Sequence, residues 1–167
     1  GVGLNYIGGI NPNQIRVSNG VGYITPTWEG FSAKVQHWFG ENPTGNATSK
    51  DGTGDGIMLA YEKGPISARA HYARTNFATG DATYRAVAAY YDVGNWKIAG
   101  NFNYDGQGEL RQRGFNIGGL YRAGNGEIKL TLSQLKTNGT KDSPLSRKLS
   151  VGYVHNLSKR TAAYVSY

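Results

Sequence analysis

The oxygen-bearing residues that come nearest to a metal-binding spacing lie in "DGTGDGIMLAYE", Asp51 to Glu62. Asp51, Thr53, Asp55 and Glu62 fall at the first, third, fifth and twelfth positions of a calcium loop, with Gly56 at the sixth. Such a loop needs a helix on each side. Here "ENPTGNATSK" precedes it, "KGP" follows it, and Ile57 to Tyr61 alternates as a strand, so the segment reads as a polar loop, with divalent-ion contact at 41–54 left open. His37, His71 and His155 lie in three separate hairpins without a close-spaced metal pair. "GFNIGG" is rich in glycine, but its spacing is wrong for a dinucleotide fingerprint and no helix follows. No Ser/His/Asp set stands out, and the absence of cysteine removes thiol chemistry and disulfides. The expectation is a protein with no catalytic set, no metal and no cofactor.

What remains is charge. Eighteen Lys and Arg stand against eleven Asp and Glu, a net charge of +7 that calls for an anionic partner: nucleic acid, lipid head groups or small anions. No apolar run approaches the roughly eighteen residues of a membrane-crossing helix, which says nothing against a barrel.

The elements that must position these charges are strands. Short turn signals, "TPTWEG", "EKGP", "DVGN", "RAGNG" and "HNLSKR", alternate with longer polar stretches, "ENPTGNATSKDGTG", "NFATGDA", "DGQGELRQ" and "TNGTKDSPL". An up-and-down meander of ten strands follows, with tight turns at one end and long loops at the other. The intervening segments alternate with period two: Ile66, Ala68, Ala70 and Tyr72 against Ser67, Arg69 and His71; Trp96, Ile98, Gly100 and Phe102 against Lys97, Ala99 and Asn101. Tyr23, Tyr61, Tyr91, Tyr121 and Tyr153 each precede a short turn on the apolar parity, as an interfacial girdle would place them. The opposite parity carries Lys34, Arg69, Lys97, Lys129 and Lys148, with almost no acid beyond Glu127. Because cations and aromatics fall on opposite parities, single-stranded nucleic acid is not expected as a partner. An all-β transmembrane antiparallel up-and-down barrel, with lipid outside and a wet basic lumen, accounts for a hydrophobic content of only 38%. The alternatives are a soluble lipocalin-like barrel or sandwich holding a small ligand, with the two parities exchanged between core and solvent, and a small outer-membrane barrel enzyme.

With those residues in view, "VGYVHNLSKRTAAYVSY" resembles the late hairpin of the general trimeric porins of the Gram-negative outer membrane, of the beta-proteobacterial type, in which a Ser-Lys-Arg-Thr turn precedes a penultimate strand. "IRVSNGVGYITPTWEGFSAKVQ", Ile15 to Gln36, is similar to that family's hairpin after the constriction loop; "LAYEKGPISARAHYA" and "AAYYDVGNWKIAGNFNY" fit more loosely. The resemblance spans essentially the whole chain. It implies a passive, anion-selective channel in the outer membrane, a homotrimer, and contact with membrane lipid and lipopolysaccharide. It places Arg16 at the pore constriction. It also implies that residues 1–167 are one barrel domain holding about ten of some sixteen strands, without the early strands, the constriction loop or the closing strand.

Overall fold

The computed structural model describes residues 18–139 and 145–167. Among them run β1 (Gly20–Ile24), β2 (Phe31–Trp38), β3 (Gly54–Lys63), β4 (Ile66–Thr75), β5 (Ala82–Val93), β6 (Trp96–Gln107), β7 (Leu110–Ala123), β8 (Gly126–Asn138), β9 (Leu145–Ser158) and β10 (Thr161–Ser166). All ten form a single antiparallel sheet in chain order, the up-and-down meander that the turn signals require.

The turns explain the order. Lys63 pairs with Ile66, Val93 with Trp96 and Ala123 with Gly126, which leaves the two-residue loops Gly64-Pro65, Gly94-Asn95 and Gly124-Asn125. The leading glycine has φ of +59°, +56° and +56° respectively, while the second residue stays at negative φ, as in a II′ turn whose twist matches that of the strands. One stretch differs from its sequence reading. "DGQGELRQ" reads as a long loop, but Gln107 pairs with Leu110 and Gly108 takes φ +56°, so the chain reverses in two residues and β6 and β7 extend through the polar positions. The polarity there marks two strand faces rather than a loop.

The two faces are inverted relative to a soluble protein. On the alternating parities, Ser67, Asn103, Asn116 and Ser133 are buried, whereas Leu59, Val87, Ile98, Ile117, Leu130 and Leu149 are exposed. Side chains crowd on the concave side of a curved sheet, so the polar parity is concave. Among the described residues the buried apolar side chains are Trp38, Ala60, Ala73 and Ala82. An apolar outer surface this extensive is what lipid covers and water does not.

Candidate pore wall and membrane face

The concave face carries every basic residue that the alternation assigns to a lumen: Lys34 opposite Met58, Arg69 opposite Ala60, Lys97 opposite Asp92, Lys129 opposite Gly152 and Lys148 opposite Ser133. It also carries more acid than the sequence reading allowed. Glu62, Asp92 and Asp105 share this parity with Glu127, and Arg122 joins the cations. Glu62 and Asp92 were hidden in segments read as turns, and Asp105 in the stretch read as a loop. The face of one sign is therefore corrected to a face of mixed sign with a cationic excess.

Its pairing is uneven. Asp92 is shared: Arg122 Nη1 and Nη2 donate to its two carboxylate oxygens at 2.8 and 3.0 Å, and Lys97 Nζ lies 3.2 Å away. Lys97 Nζ also lies 4.0 Å from the centroid of the Tyr90 ring. Lys129 Nζ sits 2.8 Å from Glu127, and Arg69 bonds Glu62. These pairs cluster toward the tight-turn end. Lys34 and Lys148, farther along the wall, have no carboxylate partner among the described residues. Arg16 lies outside the described residues.

On the convex face the five tyrosines form a staircase. Along lines of paired residues, Tyr23 is level with Val35, Ile57 and Tyr72, whereas Tyr61 is level with Phe31 and Ala68. Tyr91 lies level with Ile66 and Ile98, and Tyr121 and Tyr153 both with Ile128. From Tyr23 to Tyr153 the line crosses eight strands and steps down eight residues. At about 3.4 Å per residue and 4.8 Å per strand this is a descent of about 27 Å over about 38 Å, a slope of about 35°. Strands of outer-membrane barrels tilt by about that angle. Tilting the strands so brings Tyr23 and Tyr153 level and the other three to within about 6 Å of them. Aromatic neighbours reinforce it, with ring centroids 4.6 Å apart for Phe31 and Tyr61 and 4.5 Å for Trp96 and Tyr121.

A second line, absent from the sequence reading, closes the apolar band at its other side. On the convex parity β4 carries Arg74, β5 Arg85, β7 Arg111 and Arg113, β8 Lys136 and β9 Arg147. Cations thus occupy both parities, in place of the expected separation of cations from aromatics. The signal was available: Arg85 continues the alternation of Val87 and Ala89, and Arg147 that of Leu149 and Val151. Among the described residues no group of three or more His, Asp or Glu is placed to hold a metal. Asp51 of the calcium-like segment instead accepts the Ala78 amide at 2.8 Å, and Asp55 lies 2.8 Å from His37 Nδ1.

The sequence matches the Gram-negative porin family over residues 1–167. It is 34% identical over 166 residues to outer membrane porin protein 32 of Delftia acidovorans, covering 93% of this chain and 47% of that protein. Its fold superposes on the anion-selective porin from Comamonas acidovorans with a TM-score of 0.75 and 28% identity, over 89% of this chain and 47% of that one. A Salmonella typhi OmpF, solved in complex with daunomycin, aligns with a TM-score of 0.71 at 18% identity, covering 89% and 53%. The chain thus spans about half the length of the relatives it matches. An inverted two-faced sheet, a tilted up-and-down order and a match along the whole sequence lead to one conclusion: the chain belongs to the Gram-negative porin family, the barrels of the outer membrane.

Proposed function

We propose that this chain builds part of the wall of a water-filled channel through which small hydrophilic solutes cross the outer membrane by passive diffusion, with small anions favoured and no chemical step. The observation that carries the reading is the concave polar face with two lysines, Lys34 and Lys148, free of carboxylate partners among the described residues. Fixed positive charge on a low-dielectric wall raises the local anion concentration without a binding pocket. Tyr23, Tyr61, Tyr91, Tyr121 and Tyr153 serve as the interfacial girdle on the tight-turn side. Resemblance to the trimeric porins supports three copies around a common axis, in contact with outer-membrane lipid and lipopolysaccharide, and supports Arg16 as a constriction residue. A complete barrel of about sixteen strands needs strands beyond the ten described, since β1 and β10 each have one neighbour here.

The test is a planar bilayer holding the whole porin between unequal potassium chloride solutions. A reversal potential of the sign set by chloride, growing as salt is lowered, is the expected result. A cation-preferring pore overturns the anion assignment, and the absence of ohmic conductance overturns the channel.

A further inference from the structure

The three histidines of the chain stand in different surroundings. His37 lies on the convex parity with Val35, and its Nδ1 is 2.8 Å from Asp55 Oδ1. His155 shares the convex parity of Tyr153, whose Oη lies 3.1 Å from its Nδ1. Both therefore face away from the lumen, and each already has a polar partner. His71 differs on both counts. It follows Ser67 and Arg69 on the concave parity of β4 and is exposed there. Among the described residues no hydrogen bond or ion pair holds its ring nitrogens, and its ring meets that of Tyr84 edge-on, with centroids 5.1 Å apart.

The strands around His71 present little that would cancel a charge on it. Lys34, Met58 and His71 lie on one continuous line of paired residues across β2, β3 and β4, so the two basic residues flank Met58 with backbones about 10 Å apart. Lys34 has no carboxylate partner among the described residues. On β4 itself Arg69, two residues away, is bonded to Glu62 of β3, and that pair adds little net charge. From β5 come Ala86, opposite His71, and the phenol of Tyr84. Beyond Tyr84, β6 presents Asp105, which is wholly buried, and Asn103, whose Nδ2 lies 3.3 Å from Asp105 Oδ2. With His71 neutral, the uncompensated charge on this part of the wall is that of Lys34. A proton on His71 doubles it.

We propose that His71 is a selectivity-determining residue of the pore wall, whose protonation beside Lys34 raises the preference of the channel for anions. This rests on the reading of the concave face as a lumen and adds a pH dependence to it. An imidazole changes charge between about pH 5 and 8. Ordinary carboxylates are ionised, and lysines and arginines protonated, over most of that window. A cation added to a low-dielectric wall draws anions and repels cations over a Debye length, about 8 Å at physiological ionic strength and about 30 Å at 0.01 M. The contribution of His71 is therefore present at pH below its titration, lost above it, and largest in dilute salt.

The whole porin is placed in planar bilayers, and reversal potentials in a dilute potassium chloride gradient are read from about pH 8 down to about pH 5.5. The anion-to-cation permeability ratio is expected to rise by up to about twofold over that range. His71→Gln should hold the high-pH ratio throughout, and His71→Arg the low-pH ratio. The double variant His37→Gln/His155→Gln should keep the wild-type profile. Resistance of the barrel to unfolding in dodecyl sulfate without heating verifies that each variant is folded. A pH profile that persists in folded His71→Gln, or that disappears in the double variant, overturns the proposal. A flat wild-type profile does the same, even in a pore that prefers anions. A wild-type pore that prefers cations at both ends of the range, yet shifts toward anions on acidification only while His71 is present, overturns the anion assignment and upholds His71. The two readings therefore fail separately.

Discussion

At the scale of single residues, partnership separates lysines that the alternation treats as equivalent. Lys97 shares Asp92 with Arg122, and Lys129 is held by Glu127, so the field of each is partly cancelled within a few ångströms. Lys34 lies between Ile24 and Met58 in the register, with no acid partner among the described residues. Salt screens charges over about 8 Å at physiological strength, so a lysine facing the lumen acts on passing ions only if its own neighbours leave it uncompensated. Lys34→Ala is therefore expected to lower the anion-to-cation permeability ratio, by up to about twofold at low salt, and Lys97→Ala to lower it less. Asp92→Asn should raise the ratio, because it releases both Lys97 and Arg122. Reversal potentials of the three variants in one salt gradient check the order, and an equal effect of Lys34 and Lys97 contradicts it. The concave parity of Lys34, Arg69, Lys97, Lys129 and Lys148 was legible from alternation, whereas that of Arg122, in a segment read as a turn, was not. Nor was the compensation of these cations, because Glu62 and Asp92 sit at strand ends whose Gly-Pro and Gly-Asn signals announce a turn while the strand still continues.

At the scale of elements, glycine matters through what lies above it. Gly126 opens β8 beneath the ring of Tyr153, where an added Cβ would lie 2.5 Å from Tyr153 Oη and 2.8 Å from its Cε2. The ring covers the bare backbone and its hydroxyl reaches His155 Nδ1 at 3.1 Å, so one tyrosine both shields the edge glycine and joins the girdle. Gly119, in the apolar band of β7, would place a Cβ no nearer than 3.9 Å from any neighbour, the Lys97 carbonyl. Gly126→Ala should cost about 1–3 kcal/mol by forcing Tyr153 aside. Gly119→Ala should be neutral or stabilising by about 0.5–1 kcal/mol through relief of backbone entropy. Thermal transitions between the compact and unfolded gel forms measure both, and equal losses for the two would remove the special role of the Tyr153 cover. Strand number, order and most turns were readable because each strand obeys period two between glycine-led reversals. The β6–β7 reversal was not, because Asp105, Gln107 and Gln112 look like loop residues until the polar concave face is known.

At the scale of the whole molecule, the girdle makes a claim about orientation that no single strand contains. Tyr23 and Tyr153 differ by eight residues along the strand direction, about 27 Å, yet both close the apolar face next to a tight turn. If the strands stood parallel to the membrane normal, one of the two would sit at an interface and the other at the opposite side of the hydrocarbon. With a strand tilt of about 35° both lie at one depth, with Tyr61, Tyr91 and Tyr121 within about 6 Å of it. The whole porin with its native tryptophans, Trp28, Trp38 and Trp96 among them, replaced by phenylalanine, and carrying either Tyr23→Trp or Tyr153→Trp, separates the two cases. In vesicles of lipids brominated at graded depths along the acyl chain, both tryptophans should be quenched most by bromine nearest the head group and report depths within about 5 Å of each other, a tolerance of one or two residue rises. A depth difference approaching 27 Å would mean untilted strands, and with it the loss of the girdle. Quenching by an aqueous agent in place of the brominated lipid would turn the convex face to water and return the lipocalin-like reading.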